Sequence, residues 1–158
     1  MIMENLQEKA NFLKNEYAAK LTQLDVNAER KWGKMNVQQM IEHMSDYIRI
    51  ANGSDFQNCV TPEDKLPAMQ AFLVSEKPFR ENTPNQLMPD TPASARHNTK
   101  QDAINELQSE IDHFFNVYNE EKGIKITNPF FGDLDYDMQV QLLHKHAIHH
   151  LKQFGAAL

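Results

Sequence analysis

Six of the seven prolines fall between Pro62 and Pro92, and this clustering divides the chain. Proline offers no amide donor to a helix or sheet and clashes with the preceding turn, so the stretch cannot be one long regular element. It is expected to form a short helix followed by an extended loop. Thr61 is the expected cap of that helix and Pro62 its first residue, where a missing N–H costs nothing, and the helix ends near Leu73. The five glycines, Gly33, Gly53, Gly123, Gly132 and Gly155, fall between periodic segments, where positive φ ends a helix or allows a turn.

Four long segments remain, each with apolar residues at helical spacing. The first, about Leu6 to Leu24, carries Phe12, Leu13, Tyr17, Leu21 and Leu24 on one side. The second starts with Asn36 as N-cap and runs to Gly53, with Val37, Met40, Ile41, Met44, Ile48 and Ala51 as an i, i+3, i+4, i+7 stripe. A third opens at Thr99, with Asp102 completing a variant of the capping box, and continues through Ile104, Leu107, Ile111, Phe114, Phe115 and Tyr118. The fourth spans about Asp135 to Phe154 and is stopped by Gly155. No segment shows sustained strand-like alternation, and β-branched residues are sparse outside Ile124-Lys125-Ile126-Thr127. The expected fold is all-α: an antiparallel four-helix bundle, each helix hiding one stripe against the others. A long crossover, Ser54 to Asn98, would link helices two and three. The 158 residues suit one domain spanning 1–158, since single domains run to about 100–150 residues.

Seven histidines stand beside one cysteine, Cys59, which can form no internal disulfide. At about 100° per residue, His146 and His150 stack on one face of the fourth helix. That face is expected to carry Leu142, Leu143 and Phe154 and to be the inner one. His144 is placed on the opposite side, with Lys145 and Leu151 nearer to it than to the core, and His149 on the flank. A lone inward histidine is most simply a core residue satisfied by a hydrogen bond, because burial disfavours only its charged form. A stacked pair has two readings: two such core residues, or two ligands of a divalent metal. On the second helix His43 lies at the edge of the stripe, a turn from Met40 and from Tyr47. His113 faces away from Ile104 and Ile111, and His97 lies in the proline-rich loop. His43 is therefore the one remaining histidine able to join the pair, and three imidazoles from two helices leave an open coordination position. Gln39, Tyr47 and Gln153 are candidate contacts to substrate or water. No carboxylate falls on the inner faces, Glu42 and Asp46 pointing elsewhere, so no general base is named.

Composition excludes several classes. The formal net charge of −6 argues against a protein that neutralises phosphates or coats an anionic membrane. The longest stretch without Asp, Glu, Lys or Arg, Leu66 to Ser75, is about half of the roughly 20 residues a bilayer span needs. The start lacks the basic and apolar regions of a signal peptide, and the single cysteine suits a reducing compartment, so a cytoplasmic location is expected.

Three separated motifs, Trp32-Gly33-Lys34-Met35 with the run to His43, Asn128-Pro129-Phe130-Phe131-Gly132-Asp133-Leu134, and His146-Ala147-Ile148-His149-His150 with the run to Gly155, resemble the DinB/YfiT-like superfamily. Specifically, they are similar to its branch with a W-G-x-M start and an H-P-x-F-G-x-L turn. The resemblance implies a four-helix bundle holding a divalent metal, zinc or nickel, on His43, His146 and His150. It also implies a homodimer, and a small-molecule substrate with either transfer to a low-molecular-weight thiol or metal-dependent hydrolysis. Asn128 stands where that branch has histidine. The rival class is a non-catalytic helical module whose histidines are structural or bind metal adventitiously, a helix face or the proline-rich loop serving dimer formation.

Overall fold

The computed structural model describes residues 3–82, 91–121 and 123–158. Its elements are α1 (Leu6–Asn11), a π-helical turn at Phe12–Glu16, α2 (Tyr17–Gln23), α3 (Val37–Ala51), a 3-10 turn at Glu63–Lys65, α4 (Leu66–Val74), α5 (Lys100–Glu120), the strands β1 (Ile126–Asn128) and β2 (Gly132–Leu134), and α6 (Tyr136–Gln153). The helix starts follow local chemistry. The Asn36 side chain accepts from the Gln39 N–H, and the Gln39 Oε1 accepts in return from the Asn36 N–H at 2.9 Å. Thr99 and Asp135 accept from the amides of Asp102 and Met138 in the same way. Side-chain caps of this kind satisfy amides that a helix N-terminus otherwise leaves without partners. At the other end of α6, Gly155 (φ 69°) turns the chain so that the Ala156 N–H reaches the Leu151 carbonyl at 2.9 Å, closing a Schellman motif.

Four helical arms share one core. Leu13, Tyr17 and Leu21 from the first arm meet the α3 stripe, Ile104, Leu107, Ile111 and Phe114 of α5, and Val140, Leu143, Ala147 and Leu151 of α6. Each buried Leu, Ile, Val, Met or Phe among them contributes about 1.5–3 kcal/mol by leaving water. Helix α3 packs on α5, α1 on α6, α2 on α5, and α4 covers a further side of α6. The protein is mostly helical and has the packing of a helical bundle.

The structure corrects the sequence reading at several points. Residues Ile126–Asn128 and Gly132–Leu134 pair as an antiparallel hairpin, with Ile126 opposite Leu134, so the fold is not purely α. Thr61 does not cap a helix: its hydroxyl donates to the Phe130 carbonyl at 2.7 Å, and α4 begins later, with Pro67 in its first turn. The crossover is thereby tied to the hairpin, and the Val60 N–H adds a bond to the Pro129 carbonyl at 2.7 Å. Leu142 faces this region and packs with Leu73, Phe131 and Leu134 in a second, smaller apolar cluster, away from the bundle core. Leu151, expected toward the outside, is fully buried. The apolar residues Val140, Leu143, Ala147 and Leu151 set the true inward direction of α6. His146 and His150 flank it on one side and His144 on the other. His144 is accordingly half-buried, packed edge-on against Phe12 with ring centroids 5.4 Å apart, and burial lowers its pKa to about 4.

Among the described residues no helix is long and apolar enough to cross a membrane.

Candidate metal centre

Helix α3 brings His43, and α6 brings His146 and His150, to one point where their ring nitrogens all lie within 4.8 Å of one another. The Nε2 atoms converge. His146 Nε2 is 3.1 Å from His43 Nε2 and 3.0 Å from His150 Nε2. Burial is the main cause that lowers all three pKa values, that of His43 to about 4, and mutual repulsion among the histidines adds to it. The rings are therefore neutral near pH 7 and present lone pairs. His150 Nδ1–H donates to Gln153 Oε1 at 2.8 Å, which leaves its Nε2 as an acceptor.

A hydrogen-bond network alone fits this arrangement poorly. A proton on His146 Nε2 points well at one of its two ring-nitrogen neighbours, so the other contact has no proper donor and acceptor pair. One divalent cation satisfies all three nitrogens. Tetrahedral ligands at 2.0–2.1 Å from zinc stand about 3.3 Å apart, so the observed spacings need to widen by only a few tenths of an ångström. Three histidines fill three positions of such a shell and leave the fourth open.

The surroundings are aromatic on one side and polar on the other. The Tyr47 ring packs against His43 and His146 at 4.9 and 5.0 Å, while Phe79 lies 5.8 Å from both His146 and His149. His43 and Tyr47 border a cavity of about 320 Å³ whose other wall includes Pro92, Ser94 and Arg96 of the loop before α5. Glu42 and Asp46 border it too, contrary to the sequence expectation that they point elsewhere. Both are committed. Glu42 is buried and accepts the backbone N–H groups of Arg96 and His97 at 2.7 and 3.2 Å, which pins the loop to α3. Asp46 pairs with Arg49 and Arg96.

Of the other residues singled out from sequence, Gln39 donates to the Ala93 carbonyl at 2.9 Å besides completing its cap, and Gln153 has both amide ends engaged. Tyr47 alone of the three combines a place on the cavity wall with contact to the histidines. Asn128 is no part of the cluster: its Oδ1 accepts from the Phe130 and Phe131 amides at 2.9 and 3.1 Å and shapes the hairpin turn. His113 is exposed, and His97 Nε2 lies 2.7 Å from Glu106. His149 is half-buried and packs between Trp32 and His150.

Behind the loop wall, Glu106 gathers Arg49, Arg96 and His97. Burial alone would raise its pKa, but hydrogen bonds from Arg96, His97 and Arg49 outweigh that and hold the carboxyl at about 2. A depressed carboxyl stabilises the native state above the unfolded pKa of about 4.3 and loses that contribution as pH falls toward 2. Glu106→Gln is thus expected to lower stability at pH 7 by about 1–2 kcal/mol, a value reduced for solvent screening. Urea midpoints of variant and parent should converge as pH drops below 3; a gap that stays constant with pH would remove the ion cluster as its cause.

No family model matches the sequence, and neither a curated protein nor a solved structure matches it.

Proposed function

We propose that this is a metal-dependent enzyme of the DinB/YfiT-like kind, holding one zinc or nickel ion on His43, His146 and His150 and acting on a small molecule in the adjoining cavity. The convergence of three neutral imidazole Nε2 atoms carries the proposal. Such an ion, when bound, supplies Lewis acidity at the open side of the histidine cluster. The chain's own groups divide the remaining work. Tyr47 and Phe79 pack against the His146 ring, and Glu42 holds the loop that forms one wall of the cavity.

Transfer to a low-molecular-weight thiol fits better than hydrolysis. Hydrolysis gains from a base beside the metal-bound water, and the two carboxylates beside His43 are occupied by backbone amides and arginines. The chain has only Cys59, whose Sγ donates to the Thr61 carbonyl at 3.7 Å in the crossover, so the sulfur would come from a cosubstrate.

Elemental analysis of protein produced without an affinity tag tests the first part. About one zinc or nickel per chain is expected, with a melting temperature that falls on chelation and recovers with metal. A metal-free preparation whose melting ignores added zinc and nickel would refute it. Calorimetric titration of the zinc-loaded chain with glutathione, bacillithiol and mycothiol tests the second, and binding of none would exclude the thiol reading.

A further inference from the structure

Gln153 is 2% exposed, and both ends of its amide are in use. Its Nε2 donates to the Trp32 carbonyl at 2.9 Å, and its Oε1 accepts from His150 at 2.8 Å. The two ends of a glutamine amide have the same shape, so something must decide which faces the histidine. A backbone carbonyl can only accept. Trp32 therefore draws the NH₂ end toward itself and leaves the oxygen for His150, whose Nδ1 must then carry the proton and whose Nε2 must present its lone pair to the cluster.

The turn is shaped for this contact. Gly33 has φ 78°, and a Cβ on it would lie 2.8 Å from Gln153 Nε2. Any larger residue would push the amide off the Trp32 carbonyl, and an L side chain would be strained at that φ. The Lys31 N–H donates to the Gln153 backbone carbonyl at 2.7 Å, so the same turn also holds the backbone of α6 at this residue. The Trp32 ring rests on His149 with centroids 5.2 Å apart.

We infer that the Trp32-Gly33 turn and Gln153 form a positioning relay that fixes the tautomer and orientation of His150. Gly33 and Gln153 are positioning residues, and Gln153 is not a substrate contact. The inference rests on the metal-centre proposal for its purpose, but its geometry can be tested without metal.

Two measurements decide it. In the metal-free, ¹⁵N-labelled chain at pH 8, long-range ¹H–¹⁵N spectra should show His150, assigned by its loss in His150→Gln, as a single Nδ1–H tautomer. Gln153→Leu and Gly33→Ala should each turn that pattern into a tautomer mixture. Gln153→Glu keeps an acceptor for Nδ1–H but has no amide to donate to the Trp32 carbonyl, so its pattern should fall between the parent and Gln153→Leu. Zinc dissociation constants from chelator competition should rise about 10- to 100-fold in Gln153→Leu and Gly33→Ala, the usual effect of losing a residue that orients a metal-ligating histidine, and by less in Gln153→Glu, which keeps only the His150 end of the relay. Unchanged tautomer patterns in folded Gln153→Leu would overturn the relay, as would zinc affinities within about twofold of the parent. Should Gly33→Ala fail to fold, Gln153→Leu and Gln153→Glu still decide the matter. Should the parent bind no zinc, the tautomer spectra alone judge the relay, and the failure belongs to the metal proposal.

Discussion

On the proposed metal centre, His146→Ala is expected to abolish any rise in stability produced by added zinc or nickel, because His146 Nε2 is the atom both other ring nitrogens approach. A ligand present at a thousand times its dissociation constant adds about 4 kcal/mol to a protein that binds it only when folded. In a chain of this size that corresponds to roughly 10 °C of melting temperature. The variant should melt at the same temperature with and without metal. His144→Ala is the matched control: it removes a histidine of the same helix that packs on Phe12 and belongs to no cluster, so it should lose some packing yet keep the metal-induced rise. Melting curves of both variants with and without zinc decide the matter. A metal-induced rise lost equally in both would refute the assignment of ligands.

The second large effect is expected at Glu42, whose carboxylate accepts two backbone amides of the loop before α5 while 4% exposed. Hydrogen bonds to a charged group contribute about 1.5–3 kcal/mol each, and removing one partner leaves the others buried without a mate. Some of the loss is recovered when the loop lifts into water. Glu42→Ala should therefore cost about 3 kcal/mol, which is again roughly 10 °C. The loss should be local in origin. Hydrogen exchange at the Arg96 and His97 amides should quicken far more than in the middle of α5, and Glu42→Gln, which retains one acceptor oxygen, should fall between variant and parent. Uniform acceleration across the chain would mean that Glu42 supports the bundle as a whole and not the cavity wall.

The contrast between these two sites shows what can be read from sequence. The caps at Asn36, Thr99 and Asp135 and the stripe of α3 depend on neighbours within one or two turns, and their residues announce them. The three histidines could be gathered because helical spacing converts number into direction. Glu42 carries no such signal, since its partners are backbone amides more than fifty residues away. Gln153 is legible as a polar residue near the histidine face, but its carbonyl partner on Trp32 lies on another segment. The hairpin strands, Ile126–Asn128 and Gly132–Leu134, are too short for alternation to register. Leu142, His144 and Leu151 depart from expectation for a different reason. A direction centred on the histidine pair is not the inward direction of α6, which Val140, Leu143, Ala147 and Leu151 define, and α4 covers a side of α6 that a plain bundle would leave to solvent.

The π-helical turn at Phe12–Glu16 solves a problem of phase. The first arm buries Lys9, Leu13, Tyr17 and Leu21, residues that recur at steps of four. On a regular helix of 3.6 residues per turn each such step drifts by about 40°, so three steps would swing the last residue about 120° from the first. A single wider turn absorbs most of one residue's rotation and returns the series to the interior. The same local unwinding lets α1 address α6, where the Lys9 ammonium donates to Gln141 at 2.8 Å, while α2 addresses α5. One rod thus serves two differently angled neighbours without a break in the chain. The length of this segment is consequently under tighter constraint than its side chains: losing one residue inside it would put Tyr17 and Leu21 out of step with the core they fill.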